Sequence, residues 1–436
     1  MTVLDRPSAT RPHLVASPPV TGGEAAPLPD RVLMKGNEAI AEAAIAAGCD
    51  AYFGYPITPQ AELLEWMAKR MPQEGRVFVQ AESELAAINM GLGAAAAGAR
   101  VLVSSSSPGI SLMAEAMSYM AGSRLPVVLV NVMRGGPGLG SIGAAQGDYL
   151  QATKGHGHGD YRVPVLAPSS IAEAIDLVRE SFIVAERYRT PVILLADGIL
   201  GQAMEPVELR FRNPARRAFD WALTGAAGRP ARVIKSIDLV PDVLEKRNIA
   251  LQRKYAEISR QEVRWATESM DDAEYVLVAY GTAARVARSA IEKARARGIK
   301  AGLFRPITLW PFPSRELARV ARHAHAILTV ELSSGQMVED VRLAVEGRCP
   351  VGFHGRMGGL VPTPDEVVGA LKALHGKVER TREHDREQQQ KRHPGRSDGQ
   401  SRQRRSAATA PEERARRPEA DALADVHAGA RDGAQR

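Results

Sequence analysis

Short apolar runs alternate with helix-period segments along most of the chain, and that rhythm restricts the fold more than any other feature. Residues 31–34, 50–54, 77–80, 100–104, 127–133 and 191–196 read as strands, with helical patterns at 37–47, 60–70, 83–97, 110–122 and 171–187. A strand that comes back parallel to its predecessor needs a crossover, and a helix of this length supplies it. Repetition of the unit implies a parallel sheet covered on both faces. The same grammar restarts later, with strands at 275–280, 300–304, 326–331 and 351–354 and helices at 283–297, 314–322, 337–345 and 364–374. The expected fold class is therefore α/β, with two parallel-sheet domains at 31–205 and 273–375, the second independent of the first. A linker at 206–272 joins them; it begins with strand-like Val207-Glu208-Leu209 and carries a charged helical pattern at 243–268.

Composition bounds the termini and the partners. The mixture of 44% hydrophobic but only 5% aromatic residues suits close-packed α/β layers. Residues 1–30 are rich in Pro, Ala, Thr and Arg and lack the apolar core of a signal peptide, so a disordered leader on a cytoplasmic protein is expected. Residues 376–436 hold almost no large apolar side chains and are expected to be a disordered, charged tail. From 377 onward, 15 Lys and Arg face 11 Asp and Glu, so +4 of the net +7 sits in that tail. The remainder is nearly neutral, and no nucleic-acid partner is expected. No apolar run reaches membrane-spanning length. Cys49 and Cys349 stand far apart with no CxxC or Cys/His spacing, so neither a zinc site nor an iron–sulfur cluster can be built from this chain alone.

Ligands of parallel α/β sheets bind beyond the carboxyl ends of the strands. Four stretches in the first domain occupy such positions. Gly54-Tyr55-Pro56-Ile57-Thr58-Pro59 holds Thr58 between two prolines, although spacing alone favours Thr58 as a cap of the next helix. Gln80-Ala81-Glu82-Ser83-Glu84 brings two carboxylates to a helix start, and the uncharged run 85–99 that follows implies a helix buried on most sides. Ser104-Ser105-Ser106-Ser107-Pro108-Gly109 allows close backbone approach to a ligand, or is a plain tight turn. Arg134-Gly135-Gly136-Pro137 opens a long stretch without evident secondary structure, in which His156 and His158 alternate with glycines before Asp160. Arg134 suits an anion clamp; metal binding by two histidines without a third ligand is the lesser reading.

In this order, and together with Met34-Lys35-Gly36-Asn37-Glu38-Ala39, these motifs resemble the alpha subunit of 2-oxoacid:ferredoxin oxidoreductases, nearest to the branched-chain (3-methyl-2-oxobutanoate) type. The resemblance spans roughly 31–374 and implies a thiamine diphosphate-dependent enzyme. The first domain would bind the aminopyrimidine ring and the second would be a transketolase C-terminal-like domain. Glu84 matches the family carboxylate that hydrogen-bonds the pyrimidine, with Glu82 as competitor. Thr58 and Arg134 match catalytic positions facing the substrate's carboxylate and keto oxygen. Tyr55, Pro56, Ser107, Pro108 and Gly109 would line the cofactor, with Gly135, Gly136, His158 and Asp160 as substrate or loop candidates. The sequence lacks the Gly-Asp-Gly motif for magnesium and diphosphate and lacks cluster cysteines. Magnesium and the [4Fe-4S] cluster are therefore expected on partners: a beta subunit, and a ferredoxin-like subunit or ferredoxin. Coenzyme A would take the acyl group. The same chemistry on 2-oxoglutarate or pyruvate, and a non-catalytic scaffold role, are the alternatives.

Overall fold

The computed structural model describes residues 31–155, 157–208 and 218–392. The expected disordered leader, His156, Leu209 and the tail beyond residue 392 lie outside the described residues. The first part of the chain runs β1 (Val32–Lys35), α1 (Gly36–Ala46), β2 (Ala51–Gly54), α2 (Ala61–Gln73), β3 (Val77–Gln80), α3 (Glu84–Ala96), β4 (Val101–Ser105), α4 (Ser107–Leu112), α5 (Ala114–Ser123) and β5 (Val127–Met133). It continues through α6 (Tyr149–Lys154), β6 (Val165–Leu166), α7 (Ile171–Tyr188), β7 (Val192–Asp197), α8 (Gly198–Gln202) and β8 (Met204–Val207). The second part holds α9 (Pro241–Gln261), β9 (Trp265–Glu268), β10 (Tyr275–Val278), α10 (Gly281–Arg295), β11 (Ala301–Pro306), β12 (Thr308–Trp310) and α11 (Ser314–Ala321). It closes with β13 (Ala326–Glu331), α12 (Met337–Val345), β14 (Val351–Gly355) and α13 (Pro364–Arg392).

Two parallel α/β sheets result, as the alternation requires. The larger has the order β12-β6-β7-β5-β4-β2-β3 and the smaller β14-β13-β10-β11-β9. Each is parallel except for one antiparallel edge strand, β12 and β9 respectively. Successive residues of the central strands feed opposite layers, as the period of two dictates. Val127 and Leu129 join α3 and α5 on one face, while Val128, Val130 and Val132 join α1, α2 and α7 on the other. A third core unites β10, α10, β13 and α13.

Several expectations are corrected. The strand at 31–34 lies outside the main sheet: β1 pairs antiparallel with β8 as a separate ribbon. The second domain is not independent, because its β12 adds to the larger sheet beside β6. Residues 265–268, read as part of a helical linker, are β9 of the smaller sheet. The helix at 110–122 is two helices, α4 and α5, and the stretch after Arg134 contains α6. The helix expected to stop at 374 continues to Arg392. Its Val378 is buried, and Glu379 accepts a hydrogen bond from Tyr275 Oη at 3.3 Å, so the turns after Gly376 still pack on the smaller sheet. Gly376 alone does not stop a helix when no proline follows closely. Finally, α3 is not buried on most sides: Leu85 and Met90 are 45% and 38% exposed.

Candidate active site

The parallel register sets the geometry. Ser105 pairs with Asn131 and Met133 with Asp197, so the carboxyl ends of β4, β5 and β7 form one edge. Glu84 arrives there as the first residue of α3, whose start is fixed by Ser83 Oγ accepting from Ala86 N at 3.2 Å. Glu84 is only 6% exposed, whereas Glu82 is exposed. The Glu84 carboxylate forms no hydrogen bond or ion pair among the described residues.

Gly109 presses against this carboxylate. A Cβ at Gly109 would stand 2.0 Å from Ser105 Oγ and 2.6 Å from Glu84 Oε1, so no larger residue fits. Ser105 Oγ and Ser106 Oγ are buried without a partner, as are Asn131 Oδ1 and Arg134 Nε. Native chains rarely leave such atoms unpaired, since each costs roughly 1–3 kcal/mol. Their concentration at the sheet edge that also holds a buried carboxylate marks an edge built for a polar ligand.

Arg134 is 7% exposed, and its guanidinium donates to two backbone oxygens, Thr58 O at 2.9 Å from Nη1 and Leu139 O at 3.0 Å from Nη2. It thereby ties the Tyr55-Pro56-Ile57-Thr58 turn to the glycine loop. Thr58, Tyr55 and Pro56 are exposed at the rim; the N-cap position of α2 is Gln60, not Thr58, and no side chain caps that helix. Gln60 is fully buried and accepts from Ser104 Oγ at 2.7 Å, which also meets Tyr52 Oη at 2.7 Å. Gly135 is required by its neighbours: a Cβ there would meet the Gly358 backbone at 2.8 Å, so the second domain's Gly358-Gly359 turn closes over the loop. Gly136 faces open space.

Ser107 links the two loops. Its Oγ donates to Asp148 Oδ2 at 2.6 Å and accepts from Arg134 N at 3.0 Å, and Asn131 Nδ2 reaches the same Asp148 oxygen at 2.9 Å. Burial pushes the Asp148 carboxyl above its ordinary value, partly offset by Ser107 and Asn131. Asn131 and Gln60 were missed in the sequence, though a lone Asn inside the apolar run 127–133 was a usable signal. Pro108 sits in the first turn of α4. His158 and Asp160 are not brought to this edge. Both are exposed, and the segment lies along α5 and α9, where His158 O accepts from Ser118 Oγ and Asp160 O from Gln252 Nε2, each at 2.6 Å. Among the described residues no cluster of His, Cys, Asp and Glu could hold a metal ion.

Residues 42–239 match the family described as pyruvate flavodoxin/ferredoxin oxidoreductase, thiamine diphosphate-binding, and 273–367 match pyruvate:ferredoxin oxidoreductase core domain II. The chain is 51% identical over 347 residues to the ketoisovalerate oxidoreductase subunit VorB of Methanothermobacter thermautotrophicus, covering 79% of this chain and 98% of that one. This chain belongs to the 2-oxoacid:ferredoxin oxidoreductases. The 2-oxoglutarate synthase subunit KorA of the same organism, another member, is 33% identical over 374 residues, covering 79% and 99%. Among solved oxidoreductases of the family, the 2-oxoglutarate:ferredoxin oxidoreductase from Magnetococcus marinus, with 2-oxoglutarate, coenzyme A and succinyl-CoA bound, superposes with a TM-score of 0.70 at 26% identity, over 83% of this chain and 68% of that one. A split gene transketolase shares the fold, with a TM-score of 0.51 at 16% identity over 78% and 97% of the two chains. Among the described residues no helix is long and apolar enough to cross a membrane.

Thiamine diphosphate fits the residues at this edge. Its aminopyrimidine needs an acceptor shielded from water, and Glu84 is a buried carboxylate with no competing donor.

Proposed function

We propose that this chain is the pyrimidine-binding subunit of a complex that converts a branched-chain 2-oxoacid to acyl-CoA and carbon dioxide while reducing ferredoxin. The single observation that carries this reading is Glu84, buried beside Gly109 and without a partner. When bound, thiamine diphosphate supplies an acidic C2–H and an electron sink for decarboxylation. Glu84 would accept the ring N–H and hold a proton there, which favours the tautomer able to take the C2 proton. The Gly109 backbone and Ser107-Pro108 would set the ring's plane, with Tyr55 and Pro56 at the rim. Arg134, already fixed by Thr58 O and Leu139 O, would keep positive charge beside the substrate carboxylate, and Thr58 would face its keto oxygen. Gly135 and Gly136 would let the loop pass close to the substrate. His158 and Asp160, lying on α5 and α9, would belong to a neighbouring subunit contact rather than to the reacting atoms.

A beta subunit would contribute the diphosphate and magnesium site and, itself or through a ferredoxin-like subunit, the iron–sulfur clusters. The description of the relatives as subunits and the exposed Leu85, Met90 and Leu112 on α3 and α4 support a covering partner. Coenzyme A as acyl acceptor follows the ligands of the Magnetococcus enzyme. A reducing, cytoplasmic setting agrees with Cys49 and Cys349 both being free and buried.

The substrate assignment is tested by reconstituting the complex and comparing kcat/KM for 3-methyl-2-oxobutanoate, 2-oxoglutarate and pyruvate. A preference of at least about ten-fold for the branched acid is expected, the scale of discrimination an apolar pocket can supply. Equal or better turnover of 2-oxoglutarate or pyruvate would replace the branched-chain reading.

A further inference from the structure

At the amino ends of β5 and β7, on the side of the sheet away from Glu84, a cavity of about 430 Å³ opens between the ends of α5 and α7, α9 and the 221–235 segment. Its charge is one-sided. Arg124, Arg189, Arg232, Arg247, Lys235 and Lys254 all line it. Asp238 neutralises Lys235 and Arg247, at 2.7 Å from each. Arg124, Arg189, Arg232 and Lys254 form no ion pair among the described residues, and Asp220 acts on Arg189 only through space.

Three of the four are held rather than loose, and Arg124 stands exposed beside them. Arg189 Nε donates to Arg124 O at 3.2 Å, and Lys254 Nζ donates to Arg189 O at 3.1 Å. Arg232 Nη1 donates to Phe219 O at 3.1 Å and to Ala222 O at 2.7 Å. The Arg189 guanidinium lies 4.5 Å from the Trp221 ring centroid, and Phe219 stacks on that indole at 5.0 Å. Carbonyl oxygens orient the cations but carry no net charge, so the cluster stays repulsive. The strain shows at Lys254, where burial first, then Arg124 and Arg189, push the ammonium down to about 7. Positioned, crowded and unneutralised cations destabilise a chain unless an anion completes them.

We propose that this cavity binds a phosphorylated small molecule of nucleoside-diphosphate size, its phosphoryl oxygens taken by Arg124, Arg189, Arg232 and Lys254. Guanidinium forks match phosphoryl oxygens in pairs. The volume lies within the roughly 300–1,000 Å³ of small-molecule sites and exceeds what one orthophosphate fills. The cavity is separate from the candidate active site. Arg124 precedes β5 and Arg134 follows it, and the strand's 7 residues put roughly 20 Å between the two edges.

The test is isothermal titration calorimetry of the full-length chain with ADP, inorganic pyrophosphate and adenosine at about 0.15 M salt. ADP or pyrophosphate should bind and adenosine should not. Arg124→Gln and Lys254→Met should each weaken the anion at least ~10-fold while melting near the parent temperature, and Glu84→Gln should titrate like the parent. Tighter binding of ADP assigns the base to the cavity mouth; equal binding makes the diphosphate the whole determinant, and either carries the proposal. Should Arg124→Gln fail to fold, Lys254→Met alone decides, since its stem keeps the packing. No binding of either anion, undiminished binding in the folded variants, or loss in Glu84→Gln would overturn it.

Discussion

Glu331 and Glu84 are buried carboxylates at the helix-start edges of the two parallel sheets, and they are treated in opposite ways. Glu331, the last residue of β13, is fully buried and saturated. It accepts from Ser333 Oγ at 2.8 Å, Gln336 N at 3.0 Å, Met337 N at 3.0 Å and Val338 N at 2.9 Å, closing the start of α12. Glu84, at the start of α3, is nearly as buried and accepts nothing among the described residues. One carboxylate answers the chain's own orphan amides. The other is kept unpaired among unpaired hydroxyls, which is unfavourable in a free chain and useful only if something else donates to it.

Four changes would break or sharpen that contrast. Glu84→Gln should cut turnover of the assembled complex by about 10²–10⁴-fold, the usual scale for a lost proton-handling group, with a small change in melting temperature. Steady-state assay and a melt on the same sample check both halves. Glu331→Ala should reverse the pattern: four orphaned donors should cost ~3–5 kcal/mol in chemical denaturation. Loss of activity there should follow loss of folded complex. Gly109→Ala tests the close packing beside Glu84. Its methyl would land on Ser105 Oγ and Glu84 Oε1, and overpacking of ~1–3 kcal/mol should appear mainly as at least a ten-fold weaker KM for the cofactor.

The smallest effect concerns Asp148. Its carboxyl titrates above its ordinary value of 3.8 because of burial, so the folded chain holds that proton more tightly than the unfolded one. The contribution to stability is complete below that ordinary value and is lost as pH rises through the raised folded value. Asp148→Asn should remove this part of the stability–pH curve and leave the chain no less stable at neutral pH. A steeper curve in the variant would contradict the assignment.

The contrast between Glu84 and Glu331 was only half legible in the sequence. Strands 77–80, 127–133 and 326–331 and helix 337–345 were read with the bounds they have, because each is an apolar or amphipathic run with clear punctuation. What escaped were elements whose existence depends on distant partners. The three-residue β12 pairs with β6, Thr308 opposite Leu166, and no local pattern announces a pairing across that separation. The open face of α3 was misread because apolar side chains awaiting a partner look the same in sequence as core. Glu82 precedes the helix cap Ser83 and faces solvent, whereas Glu84 is the first residue of α3 and faces Gly109, a difference that only the packed structure resolves. His158 and Asp160 stood in a motif, but the chain turns them toward α5 and α9.

The most direct measurement is the rate of hydrogen–deuterium exchange at C2 of thiamine diphosphate bound to the assembled complex, quenched and read by NMR, at saturating cofactor. If Glu84 accepts from the pyrimidine, Glu84→Gln should slow that exchange at least about 100-fold with the cofactor still bound. Exchange as fast as in the parent complex would contradict the account.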